Sequence, residues 1–240
     1  YLNEDIEDDY RPSKEDEEKQ KEKESLQIIL SYAQEFYVQC IHEVNPAANK
    51  ARETVRKRWG ADAIERFGIG YAPRDGFIEW AMHKGLDFDL LEQVGLIGIG
   101  ERGKYAMLRD RYTIPIYDKM SNVIGFTART MSDDKDICKY LNLKNSLVYA
   151  KDKSVFGINF AQKEARLKNK FYLVEGAPDV VKLQSIEILN TVASLGGAWT
   201  ENQLKQLYHI SHTVTFIPDA DTLKPGNEWP AGTANVFANG

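Results

Sequence analysis

Four carboxylates stand out by where they fall relative to short apolar runs: Glu175 and Asp179 in LVEGAPDV, and Asp219 and Asp221 in FIPDAD. Phe171 to Glu175 reads as a strand ending in an acid, followed by Gly176. Pro178 then falls near the first turn of a helix, where a missing N–H is tolerated. Thr213 to Ile217 reads as another strand, ending at Pro218-Asp219. Ligands of open α/β sheets bind beyond the carboxyl ends of the strands, so both strands deliver acids to that edge. Asp219 and Asp221 are two residues apart, and in an extended chain both project to the same side. Like charges converging on one edge repel unless a cation neutralises them. A ligand set made only of oxygen suits Mg²⁺ or Mn²⁺ rather than zinc. One isolated acid at such a place is most simply a helix cap or a solvated loop group. Four at two strand ends favour a metal site built from Glu175, Asp179, Asp219 and Asp221.

These acids need a sheet to hold them. Thr191 to Ser194 supplies a further short strand, ending at Gly196-Gly197, and Thr200 is a suitable N-cap for a helix running through Tyr208. From about Phe156, strand–helix alternation implies a largely parallel sheet with helical crossovers. The pattern upstream is different. Leu26, Ile29, Leu30, Ala33, Phe36, Tyr37 and Cys40 recur at helical spacing and predict an amphipathic helix. Further helices are predicted over Ala47 to Trp59, Ala61 to Phe67, Ile78 to Lys84 and Leu90 to Val94, with a turn-rich stretch from Gly68 to Gly76. Tyr112 to Tyr117 and Val123 to Thr130 form a predicted hairpin across DKMSN, with Asp and Asn as turn residues. GIGERGK, Gly98 to Lys104, lacks the spacing and the helix of a phosphate-binding loop and is assigned to a turn. Trp59, Trp80 and Tyr105 are able to stack on bases, although aromatic residues in helical segments more often fill a core. His209 and His212 straddle a helix end and a strand start, which fits packing or capping better than metal ligation.

Composition narrows the class. The 240 residues suffice for one large domain or two small ones, and 42% hydrophobic with 11% aromatic residues are globular values. No apolar run approaches the ~20 residues of a membrane span, so no membrane partner is expected. Cys40 and Cys138 form no CxxC pair, which argues against a disulfide scaffold and against a zinc ribbon in this chain, and fits a reducing cytoplasm. The net charge of −5 is unevenly placed. Residues 1–24 hold 11 acids and 5 bases, a net of −6, while the other 216 residues hold 25 acids and 26 bases, a net of +1. A globular part near neutrality can carry a local basic face for phosphates. Residues 1–24 are therefore expected to be a charged linker, either a solvated helix or a tether. A first residue of Tyr1 rather than Met suggests a piece of something longer.

VEGxxDV after one strand and DxD after another resemble the Toprim signature shared by primases, topoisomerases and some nucleases. Upstream, RFGIGYAP, LRDRYTIPI, VIGFTAR, KYLN and YAKDKSVFGI follow in the order found in bacterial, DnaG-type DNA primases, and the resemblance runs from about Leu26 to Gly240. It implies an α+β and α/β fold: a mixed N-terminal primase-core subdomain over residues 25–155, then a truncated Toprim domain over residues 156–240 with a Rossmann-like parallel sheet and helices on both faces. It further implies a nucleotidyltransferase that makes short RNA primers from NTPs on a single-stranded DNA template, with Mg²⁺ or Mn²⁺ as cofactor and a replicative helicase as partner. Arg109, Arg111, Arg129, Lys139, Lys151 and Lys153 would line a groove gripping template and nucleotide phosphates, and Asn142 would add a neutral hydrogen bond. Glu175 would handle a proton or ligate metal, directly or through water. Some positions depart from the pattern. Ala220 replaces a glycine of DGD, Thr222 to Pro230 resembles an insertion, and Thr127-Ala128-Arg129 and Lys151-Asp152-Lys153 stand for Gly-Gly-Arg and Lys-Gly-Arg. A chromosome, a phage or a mobile element is each a source of such a primase. The rival readings are a Toprim protein that binds nucleic acid without catalysis, or a Toprim nuclease of a mobile element.

Overall fold

The computed structural model describes residues 13–196 and 198–219. Its first half holds helices α1 (Lys14–His42), α2 (Pro46–Trp59), α3 (Ala63–Phe67), α4 (Phe77–His83) and α5 (Phe88–Gln93). It also holds strands β1 (Gly70–Ala72), β2 (Ile97–Gly100), β3 (Gly103–Ala106), β4 (Arg111–Tyr117), β5 (Val123–Thr130) and β6 (Tyr140–Asn142). The second half alternates: β7 (Val155–Phe156), α6 (Ile158–Lys168), β8 (Phe171–Val174), α7 (Ala177–Ser185), β9 (Thr191–Ser194), α8 (Glu201–Tyr208) and β10 (Val214–Phe216). The result is a mixed α+β fold. Among the described residues no helix is long and apolar enough to cross a membrane.

The expected apolar stripe is the buried face of α1, which packs on β1 and β5. At Gly70 a Cβ would lie 2.6 Å from the backbone of Tyr37, so only glycine lets the helix settle this closely on β1. The helix begins earlier than the apolar stripe does. Ser13 and Asp16 form a capping box, three acids occupy the first turn, and Lys19 pairs with Glu15 at 2.7 Å. The charged residues from Lys14 to Glu24 are thus solvated turns of α1.

β4 and β5 form the predicted hairpin, and Asp118 accepts the N–H groups of Met120 and Asn122 in its turn at 2.8 and 2.9 Å. They lie at the centre of an antiparallel sheet of order β1-β4-β5-β6. Pro115 is tolerated in β4 because β1 pairs only with Arg111 to Thr113 and leaves that edge of Pro115 without a strand neighbour. GIGERGK is not a simple turn; β2 and β3 pair through it as a hairpin of their own.

The second sheet has the order β10-β8-β9-β7, with β8, β9 and β10 parallel and β7 antiparallel to β9. Alternate residues of its strands face opposite cores. Phe171, Leu173 and Val192 meet Ile158, Ala161 and Ala165 of α6 and Leu207 of α8. Val174 and Ala193 face Val180 and Val181 of α7, within the same large cluster that holds α1 and the first sheet. Helices therefore cover both faces, as the alternation predicts.

Candidate active site

Parallel strands that cross over through helices end together, and here β8, β9 and β10 bring Glu175, Ser194 and Asp219 to one edge. The N–H of Asp219 donates to the Glu175 carboxylate at 3.1 Å, tying the ends of neighbouring strands. Asp179 stands in the first turn of α7, after Pro178, and is half-buried. All three acids line one cleft of about 430 Å³. Burial pushes the Asp179 carboxyl up from its ordinary value; nearby backbone N–H groups and then Arg58 oppose the shift, while Glu175 adds to it. Asp221 lies outside the described residues. Among the described residues no three acids, histidines or cysteines cluster closely enough to hold a metal. The donors present nonetheless suit a hard cation, since Glu175, Asp179 and Asp219 offer oxygen alone.

The facing wall comes from the first half of the chain. Arg58, in the last turn of α2, lines the cleft together with Thr127 of β5 and with Lys139, Tyr140 and Asn142 at β6. Sequence reasoning missed Arg58. Its neighbour Trp59 is buried and donates its indole N–H to the Pro178 carbonyl at 3.1 Å, and the Arg58 guanidinium carbon lies 5.2 Å from the Trp59 ring centre. The end of α2 is thereby fixed to the start of α7. Asn142 donates to the Leu195 carbonyl at 3.4 Å, joining β6 to the end of β9.

The other expected basic residues are placed unequally. Arg129 is the cross-strand partner of Tyr140 and does not line the cleft, its guanidinium carbon 5.9 Å from that ring and 6.0 Å from the ring of Tyr112. Arg111 does not line the groove. It is only 8% exposed, and its guanidinium donates to the carbonyls of Ala128 and Lys139, both at 3.4 Å. Desolvation lowers its pKa. Arg109 does not line the cleft; it sits in the connection between β3 and β4, its Nε donating to the Ala106 carbonyl at 2.9 Å. The Lys151 side chain crosses Gly196, beside Leu195 at the cleft rim, whereas Lys153 lines a separate hollow with Lys119 and Leu147. His209 caps α8 and His212 meets the Tyr208 ring edge-on at 4.4 Å, so both do structural work.

An acidic strand-end edge facing a basic wall across an open cleft is the arrangement of an α/β protein that handles phosphate groups. The profile of the DNA primase catalytic core, N-terminal domain, matches residues 37–162, and the chain belongs to that family. It is 34% identical over 214 residues to a DNA primase of Pseudomonas putida, covering 86% of this chain and 32% of that protein. The chain spans about a third of the length of the curated relatives it matches. The RNA polymerase domain of Mycobacterium tuberculosis primase DnaG superposes with a TM-score of 0.74 at 29% identity, over 82% of this chain and 67% of that one. A DnaG primase catalytic domain bound to ssDNA does so at 0.73 and 30% identity, over 81% and 63%.

Proposed function

We propose that this chain is the catalytic core of a DNA primase, joining nucleotides from NTPs into short RNA primers on a single-stranded DNA template. The observation that carries the reading is the cleft itself, with Glu175, Asp179 and Asp219 on one wall and Arg58 and Lys139 on the other. Residues 25–155 form the primase-core subdomain in this reading and residues 156–240 a Toprim domain, with residues 1–24 as a charged lead-in. Glu175, Asp179, Asp219 and Asp221 would hold Mg²⁺ or Mn²⁺, which when bound offsets charge on the triphosphate and favours in-line attack by a 3′-hydroxyl. Arg58 and Lys139 grip phosphate oxygens, with Lys151 at the rim. Tyr140 and Asn142 complete the wall that carries Lys139, and Arg129 lies against the Tyr140 ring. Glu175, anchored by the Asp219 N–H, is also placed to accept a proton. A cytoplasmic location and a replicative helicase as partner follow from the same reading.

The test is template-dependent incorporation of labelled NTPs by the full natural protein with Mg²⁺ or Mn²⁺, run beside single-strand binding. Asp219→Ala keeps the backbone N–H that Glu175 accepts and removes one charge from a repelling group, so the fold should hold. Primer synthesis is expected to collapse while single-strand binding and thermal stability persist. Equal synthesis by wild type and variant would refute the role of Asp219. A wild type that binds DNA and never incorporates NTPs would establish the non-catalytic reading instead.

A further inference from the structure

The turn that leads into β7 is held in a way that neither helix capping nor core packing requires. Lys151, Asp152 and Lys153 are all exposed in it. Side chains of α8 nonetheless donate to the carbonyls of four residues in a row. The Gln203 amide donates to Lys151 at 3.1 Å and to Ser154 at 2.8 Å. The Thr200 hydroxyl donates to Asp152 and the Gln206 amide to Lys153. Gln203 is the centre of this clamp. It is fully buried, and its carbonyl oxygen accepts the Thr200 N–H at 3.0 Å to close the capping box of α8. Glutamate serves a capping box as well as glutamine does, so the cap alone leaves the two N–H donors of Gln203 unexplained. Only an amide caps the helix and grips the turn together.

The direction of Lys151 depends on that grip. Its N–H donates to the Asn145 side-chain oxygen at 3.1 Å, so its backbone is tied on one side to the preceding loop and on the other to α8. Its side chain then runs over Gly196, where a Cβ would lie 3.5 Å from Cε and 3.8 Å from Cγ. Gly196 follows Ser194 and Leu195, which line the acidic cleft at the end of β9. Lys153, two residues on, instead lines the hollow that holds Lys119. Held less firmly at its carbonyls, so short an exposed turn would trade one direction for the other. An ammonium on a flexible four-carbon stem is placed only as well as its backbone is. We propose that Gln203 is a positioning residue of the cleft, fixing the Lys151 carbonyl so that the ammonium stands at the rim, where it grips a nucleotide phosphate. This rests on the role given to Lys151 above. Gln203 itself touches no reacting group and acts through Lys151, with Thr200 and Gln206 completing the clamp.

The experiment measures the affinity of the full natural protein for mant-labelled ATP with Mg²⁺ by fluorescence anisotropy, beside the KM for NTPs in primer synthesis. Gln203→Met keeps the length of the buried side chain and removes both donors. It is expected to weaken nucleotide binding by about fivefold or more, since a misplacement of about 1 Å in a gripping group suffices for such a loss. Lys151→Ala sets the ceiling of the effect. In the double variant the two losses should not multiply, because Gln203→Met has nothing left to misplace once the Lys151 side chain is gone. Stability in urea should behave the other way, with Gln203→Met costing the same in either background, since the clamp's own bonds are lost in both. Gln206→Ala removes a single bond of the clamp and should give the same pattern on a smaller scale, which keeps the test open where Gln203→Met does not fold. Nucleotide losses that multiply in the double variant would make Gln203 a structural residue only and overturn the proposal. Wild-type affinity in Gln203→Met beside a weakened Lys151→Ala would also overturn it, and leave the role of Lys151 standing. Wild-type affinity in Lys151→Ala removes the phosphate role of Lys151 and the proposal with it. A wild type that binds no NTP removes the primase reading as well.

Discussion

Trp59→Phe isolates the brace between the two halves of the cleft. The indole is 4% exposed, meets Tyr112 edge-on at 5.8 Å and donates to the Pro178 carbonyl at 3.1 Å. Phenylalanine keeps a ring in the site but has no N–H, so one hydrogen bond with a net worth of about 0.5–1.5 kcal/mol is lost. The missing pyrrole portion removes a few tens of Å² of buried apolar surface, which at about 25 cal/mol per Å² adds about 1 kcal/mol. Together these predict a loss of about 1.5–2.5 kcal/mol, and in a chain of this size a fall in Tm of about 3–10 °C. Arg58 should also lose part of its seat, because its guanidinium rests near the indole. A cation–π contact at a partly exposed site is worth about 0.5–1 kcal/mol, so affinity for a single-stranded oligonucleotide should weaken by about two- to fivefold. Urea unfolding gives the first quantity, provided the m-value is unchanged. Anisotropy at one fixed salt concentration gives the second. A stability change under about 0.5 kcal/mol would mean the bond to Pro178 braces nothing. The full stability loss with unaltered oligonucleotide affinity would show that Trp59 holds the fold without seating Arg58.

Arg111→Met should lower stability by about 1–3 kcal/mol, because two carbonyls lose their donor inside the sheet, while the salt slope of DNA binding barely moves. Lost binding at unchanged stability would instead make Arg111 a phosphate contact. Ser13→Ala breaks a capping box on a solvated helix end, so amide exchange should quicken from Lys14 to Glu24 while the thermal midpoint shifts by less than about 1 °C. A larger drop would mean that these turns belong to the cooperative fold.

Much of the site was legible because strand ends are local events. An apolar run that ends in an acid, with a glycine just after it at Glu175 and a proline just before it at Asp219, marks both, and the strand–helix alternation says that such ends gather on one edge. The α1 stripe and the β4–β5 hairpin were readable for the same reason, their periods being intact over long enough windows. Arg58 was not readable. It stands in the run Arg56-Lys57-Arg58, where nothing local separates the one base that reaches the cleft from its neighbours. The only hint was Trp59, an aromatic residue at a helix end that asks for a buried partner. Arg109 and Arg111 are two apart, which in a strand would place them on one face, but β4 begins only at Arg111 and the rule fails by one turn residue. Lys151 and Lys153 part company likewise, because the chain between them turns. Strands β1, β6 and β7 are two or three residues long and are strands only because a neighbour pairs with them.

The cleft belongs to neither sheet alone. Its acids come from the carboxyl edge of the parallel sheet and its bases from α2 and β6, and the large core continues from one layer into the other through Phe156, Val174 and Val180. Contacts across the junction hold the walls in register: Trp59 to Pro178, Asn142 to Leu195, Gln162 to the Lys119 carbonyl at 2.7 Å, and Arg66 to Glu187 at 2.8 Å. Packing, rather than attraction between the walls, therefore sets their separation. Arg58 already draws the Asp179 carboxyl back towards its charged form, so the acids are partly compensated before any cation arrives. That fixes the sign of one further comparison. Without divalent ions, the charged cleft repels a polyanion from one wall and attracts it from the other, and removing Asp219 tips the balance towards attraction. Asp219→Ala should then bind single strands as well as the wild type or better in a chelator, and lose its advantage when Mg²⁺ is restored. A weaker-binding variant in chelator would mean that Asp219 orders the cleft rather than merely charging it.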